Sequence, residues 1–77
     1  MVKDMITKHQ ARVHNEEVIA NVSAALLENR MVDSYRFLNH TDYAARMITS
    51  YIKAANIARE MMHMPKLFLY DLHEFED

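Results

Sequence analysis

Glu60 and His63 stand three residues apart in the breaker-free stretch that runs from Asp42 to about Met64. On a helix this spacing turns both side chains to one side, which is how carboxylate-bridged di-metal bundles place two of their ligands. Such a centre takes two pairs of this kind and two further inward glutamates. Here there is one pair, on the polar side of its predicted helix. The expectation is a solvated surface, with Glu60 and His63 as weak metal candidates and no cofactor. His9 and His14 are five apart, so they share no helical face. Ser23, Ser34 and Ser50 lie in helical or near-helical sequence without a nucleophile elbow. An oxyanion hole needs free backbone N–H groups, and a loop-poor helical chain has few to offer. With no cysteine there is no disulfide framework, thiolate zinc site or cysteine nucleophile. With no glycine there is no phosphate-cradling loop. The chain reads as a protein that is not an enzyme.

Two other constellations bear on binding. Arg36, Arg46, Lys53 and Arg59 lie in the middle of the chain with Tyr35 and Tyr43 nearby, the material of a helical nucleic-acid-binding regulator or antitoxin-like protein. The bases are scattered among acids, however, and the net charge of −2 is too weak a field to recruit nucleic acid or anionic lipid in bulk. A solvated face is the better reading. The second constellation is the C-terminus. Residues 67–77 hold four acids and no Lys or Arg, whereas residues 1–66 hold seven acids and nine bases. Phe68, Tyr70, Leu72 and Phe75 are interleaved with Asp71, Glu74, Glu76 and Asp77, which suits an apolar groove rimmed by Lys or Arg. Phe68, Leu72 and Phe75 would share one face of a short amphipathic helix; a strand over Leu67–Tyr70 is the alternative. Met61 and Met64, with Ile57, extend this apolar material back into the preceding helix, and methionine adapts to irregular partners.

The elements that position these groups are helical. Glycine is the residue of left-handed hairpin and cap positions, and a sheet protein with none would have to turn on Asn and Asp alone. Nine Ala, seven Met and six Leu favour helix as well. Residues 2–32 form one long helix, or two that break near His14-Asn15 with Asn15 as N-cap. One apolar stripe there is Val2, Ile6, His9, Val13, Ala20, Ala24, Leu27 and Met31; a second is Val18, Ile19, Val22, Ala25 and Leu26. Residues 33–41 read as a connection with one helical turn. Thr41 then caps a helix from Asp42 to about Met64, with Ala44, Met47, Ile48, Tyr51, Ala55, Ala58 and Met62 on its core stripe. A shoulder of Tyr43, Ala54, Ile57, Met61 and Met64 widens its apolar arc beyond what one neighbouring helix covers, which calls for a second neighbour. Pro65 ends this helix or starts the next.

The expected fold is thus all-α, a small helical bundle or hairpin of two long antiparallel helices with a short C-terminal helix. Residues 1–66 form the helical body, and residues 67–77 an acidic-aromatic segment packed on the body or on a partner. A chain of 77 residues buries only about 60% of its unfolded surface. With no disulfide or metal, the missing burial is expected from a second copy in a homodimer. No apolar run reaches the length of a membrane span, and Asp4 with the polar residues from Thr7 on is unlike a signal peptide, so the expected location is cytoplasmic. The expected function is a protein–protein interaction module that binds and inhibits or regulates a larger protein. Small proteins without catalytic groups are commonly of this kind, phage or mobile-element inhibitors of host machinery among them. The alternatives are the nucleic-acid-binding regulator on Arg36, Arg46, Lys53 and Arg59, and a metal-binding bundle on Glu60 and His63.

Overall fold

The computed structural model describes residues 6–75. The fold is all-α: helix α1 spans Lys8–Glu28, α2 Ser34–Asn39 and α3 Thr41–Met61, and a single 3-10 turn follows at Leu72–Glu74. No strand forms among the described residues. Both long helices have 21 residues, α1 and α3 pack on one another, and α2 packs on α3.

α1 is one unbroken helix that starts at a capping box. The Thr7 hydroxyl accepts from the Gln10 backbone N–H at 3.0 Å, and the Gln10 side chain accepts from the Thr7 N–H at 2.9 Å. Two orphan donors are satisfied reciprocally, so no cap is needed at Asn15, which lies in mid-helix. Val2, on the first predicted stripe, lies outside the described residues. Of the two stripes the second faces inward: Val22 and Leu26 are buried and Val18 packs beside them, while His9, Val13, Ala20, Ala24 and Met31 are exposed. Glu16 and Glu17 straddle the first stripe, about 50° to either side of its axis at 100° per residue, and so weaken it as a buried face.

Both long helices stop in the same way. After α1, Arg30 takes φ 55°, its N–H reaches the Leu27 carbonyl at 3.2 Å and the Met31 N–H reaches Leu26 at 2.9 Å. After α3, His63 takes φ 58°, its N–H reaches Glu60 at 3.2 Å and the Met64 N–H reaches Arg59 at 2.8 Å. These are Schellman caps, in which the left-handed position ordinarily belongs to glycine. A glycine-free chain must put other residues there and bear the steric cost. Arg30→Gly and His63→Gly are therefore each expected to raise stability by about 0.5–1 kcal/mol, read as a higher urea midpoint at unchanged slope. α3 accordingly ends at Met61, before the expected Met64 and before Pro65. At its other end Thr41 is the first helical residue and His40 the cap, with no side-chain capping bond. α2 is capped by Asp33, whose carboxylate accepts from the Arg36 N–H at 3.1 Å.

Among the described residues the buried apolar side chains are Ala11, Val22, Leu26 and Phe37. Phe37 brings α2 against Val22 and Leu26, and Ala44, Met47, Ile48, Tyr51 and Ile52 of α3 close around them. Ala58 and Met62, placed on the α3 core stripe by their spacing, are exposed instead. The Cα trace measures 45 × 33 × 16 Å. Among the described residues no helix is long and apolar enough to cross a membrane.

Candidate functional site

The C-terminal segment from Met64 to Asp71 is neither helix nor ladder-paired strand, and its backbone pairs alternately with the two long helices. Phe68, Leu72 and Phe75 therefore do not form the shared helical face that their spacing allows. An extended segment carries unpaired N–H and C=O groups on alternate edges, and here side chains of the long helices pair them. On the α3 side, Asn56 donates from Nδ2 to the Leu67 carbonyl at 2.9 Å and accepts at Oδ1 from the Leu67 N–H at 2.7 Å. Arg59 donates to the Pro65 carbonyl at 2.8 Å. On the α1 side, Asn15 donates to the Tyr70 carbonyl at 2.9 Å and accepts from the Tyr70 N–H at 2.8 Å. The Phe68 carbonyl accepts from His14 Nε2 at 3.0 Å.

The alternation has a simple cause. In an extended chain the N–H and C=O of one residue point the same way, and those of its neighbour the opposite way. Residues 65 and 67 turn to α3, residues 68 and 70 to α1. A carboxamide has one donor and one acceptor side by side, so each asparagine pairs with one residue as an adjacent β-strand would. Two helices thus hold an irregular segment between them, with side-chain amides pairing its backbone.

Around this clamp the rings collect. His14 stacks on Phe68 with centroids 4.5 Å apart, Tyr70 meets both edge-on at 5.0 Å, and Phe75 meets Tyr70 edge-on at 6.1 Å. Tyr70, Leu72 and Phe75 are half-buried; Phe68 and Leu69 remain 48% and 42% exposed. Leu69 borders a shallow hollow with Ile19 of α1 and Ala45 of α3. Asp71 turns back to accept from the His73 N–H at 3.0 Å, and Asp71 and Glu74 are exposed beside the rings. Glu76 and Asp77 lie outside the described residues. Met64 is exposed at the start of the segment.

Ile57 and Met61 belong elsewhere. They lie on α3 away from Asn56, exposed at 65% and 77%. The same side of α3 borders an open apolar hollow of about 400 Å³, shared with Leu26, Met31 and Val32. The residues proposed together from sequence therefore fall into two zones.

The other candidates do not converge. α3 ends before His63, whose left-handed backbone takes it out of helical register with Glu60; Glu60 faces Lys66 at 3.6 Å in an exposed pair. Among the described residues no three metal-ligating side chains come together. Arg36 lies 4.5 Å over the Tyr43 ring, whose hydroxyl accepts from the Asp33 N–H at 3.0 Å, so both hold the α2–α3 corner. Arg59 gives one N–H to Pro65. Arg46 and Lys53 share the outer side of α3 with Asp42 and Glu60, an alternation of sign that forms no basic patch.

Asn56 and the pairing role of Asn15 are not legible in the apolar pattern. Asparagine is a poor helix former, yet Asn15 and Asn56 stand inside long helices; Asn21 of α1 does too, so residue type alone does not single them out. No family model, curated protein or solved structure matches the chain.

Proposed function

We propose that this chain is a non-enzymatic binding protein that presents residues 67–75 to a larger protein and inhibits or regulates it. The observation that carries this reading is the clamp. Four side chains from two helices pair the backbone of this segment while Phe68 and Leu69 stay about half exposed. Ordering a loop on binding costs free energy, so a segment held in place beforehand binds more tightly for the same contacts. An exposed aromatic followed along the chain by Asp71 and Glu74 suits an apolar pocket rimmed by Lys or Arg, and aromatic anchors dominate such contacts.

Phe68→Ala with Leu69→Ala tests it. The backbone clamp does not use either side chain beyond Cβ, so helical circular dichroism is expected to stay as in the parent. Proteins captured from source cells by the immobilised parent chain are expected to be lost from the double variant, with affinity lower by at least about tenfold. Equal capture by both chains, or capture of nothing by either, overturns the reading.

A further inference from the structure

We infer that Arg59, Asn21 and Tyr51 form a binding site for a small carboxylate with a short apolar tail, in the hollow where α1, α3 and the start of the C-terminal segment meet. The hollow measures about 180 Å³ and is lined by Val18, Asn21 and Val22 of α1, Tyr51 and Arg59 of α3, and Leu67. The bond to the Pro65 carbonyl at 2.8 Å takes one N–H of Arg59, and a guanidinium has five. The side chain is half-buried, yet among the described residues no carboxylate pairs with it. A charge drawn out of water without a partner costs free energy, which an anion brought to it recovers. Glu60, next to Arg59 along the chain, faces Lys66 at 3.6 Å instead. Glu17, one turn before Asn21, is exposed and lines no part of the hollow.

Two more donors line the hollow with no hydrogen bond among the described residues, the Asn21 carboxamide and the Tyr51 hydroxyl. In this Asn21 differs from Asn15 and Asn56, which both pair with the C-terminal segment. No acid lines the hollow, so its polar groups face an anion as donors. An arginine fork holds two carboxylate oxygens side by side, and the amide and hydroxyl serve their remaining lone pairs. The rest of the lining is Val18, Val22 and Leu67, all buried or half-buried. That surface suits an alkyl chain and not the hydrated oxygens of a phosphate. A few convergent polar groups on an apolar lining are the usual make-up of a small-ligand site. A hollow smaller than the roughly 300 Å³ of drug-sized sites restricts the ligand to a few heavy atoms. Phe68 and Leu69 take no part in it, so this site is separate from the proposed partner contact.

Titration of the full chain with sodium butyrate, followed by amide NMR, tests this. Saturable shifts are expected at Val18, Val22 and Tyr51, with a Kd of about 1–10 mM for so small a ligand. Butyramide, which has the same shape without the charge, and inorganic phosphate are each expected to bind at least about tenfold more weakly. Asn21→Ala and Tyr51→Phe leave Arg59 and the asparagine clamps in place. Each is expected to weaken butyrate by at least about threefold at unchanged helical circular dichroism. Arg59→Gln, which keeps a donor for the Pro65 carbonyl, is expected to abolish the shifts. Absence of saturable shifts up to about 50 mM butyrate overturns the inference. Equal affinity for butyramide, or butyrate affinity unchanged in both Asn21→Ala and Tyr51→Phe, overturns it too. None of these results depends on whether residues 67–75 capture a partner.

Discussion

Phe37→Ala is expected to leave most of the chain unfolded at 25 °C. Phe37 is 8% exposed and is the one side chain of α2 in the core, where it meets Val22 and Leu26. Truncating a buried phenylalanine costs about 3–5 kcal/mol. A single core in a chain of this size supplies no more than about 3–5 kcal/mol, and few other buried side chains share the loss. The six residues of α2 are too few to hold a helix alone, so its anchor and its fold go together. Phe37→Ala should then show weak helical circular dichroism and no cooperative urea transition. Leu38→Ala, on the same helix but 71% exposed, should shift stability by less than about 0.5 kcal/mol. Equal effects at the two positions would remove Phe37 from the centre of the core.

Asn15→Ala with Asn56→Ala is expected to release the C-terminal segment while the helices persist. Each asparagine makes two part-buried hydrogen bonds to one residue of that segment. At about 1 kcal/mol per bond, each clamp contributes roughly 2 kcal/mol to local order. Hydrogen exchange at the Leu67 and Tyr70 amides should quicken by at least about tenfold per clamp removed. Protease should cut within residues 65–71 before it cuts α1 or α3. Because alanine is the better helix former, by several tenths of a kcal/mol, the helices themselves should not weaken. Asn15→Asp keeps the acceptor for the Tyr70 N–H but turns a carboxylate on the Tyr70 carbonyl, so it should release the segment nearly as far as alanine does. Unchanged protection in the double variant would mean that ring packing alone holds residues 67–70.

The proposed partner contact depends on that clamp. If binding is favoured because Phe68 and Leu69 are held in place, the clamp variant should bind more weakly although both side chains remain. If they bind through composition alone, capture should survive. The two variants together separate an anchor from its mounting.

Much of the secondary structure was legible because it rests on local rules. The absence of glycine and the run of Ala, Leu and Met specified helices, and the wide apolar arc of α3 marked a face that one neighbour does not cover. That face is still uncovered in the folded chain, with Ile57 and Met61 among its most exposed apolar residues. The end of α3 was misplaced by three residues, because a Schellman cap closed on His63 where no glycine announced it. For the C-terminal segment the sequence allows a short helix or a strand over Leu67–Tyr70, and the structure forms neither there. Phe68, Leu72 and Phe75 have helical spacing, but the backbone found better partners in two asparagines than in its own turns.

Sequence alone therefore determined that the chain is helical and that α3 owns a wider apolar arc than one neighbouring helix covers. These follow from propensity, residue inventory and periodicity, which are properties of neighbours along the chain. Only the tertiary structure decided that residues 65–70 run between two helices and that Asn15 and Asn56 hold them there. Those outcomes depend on pairs 11 and 55 residues apart. A hydrogen bond over such a distance leaves no periodic trace, because an amide can pair with any backbone group that folding brings beside it.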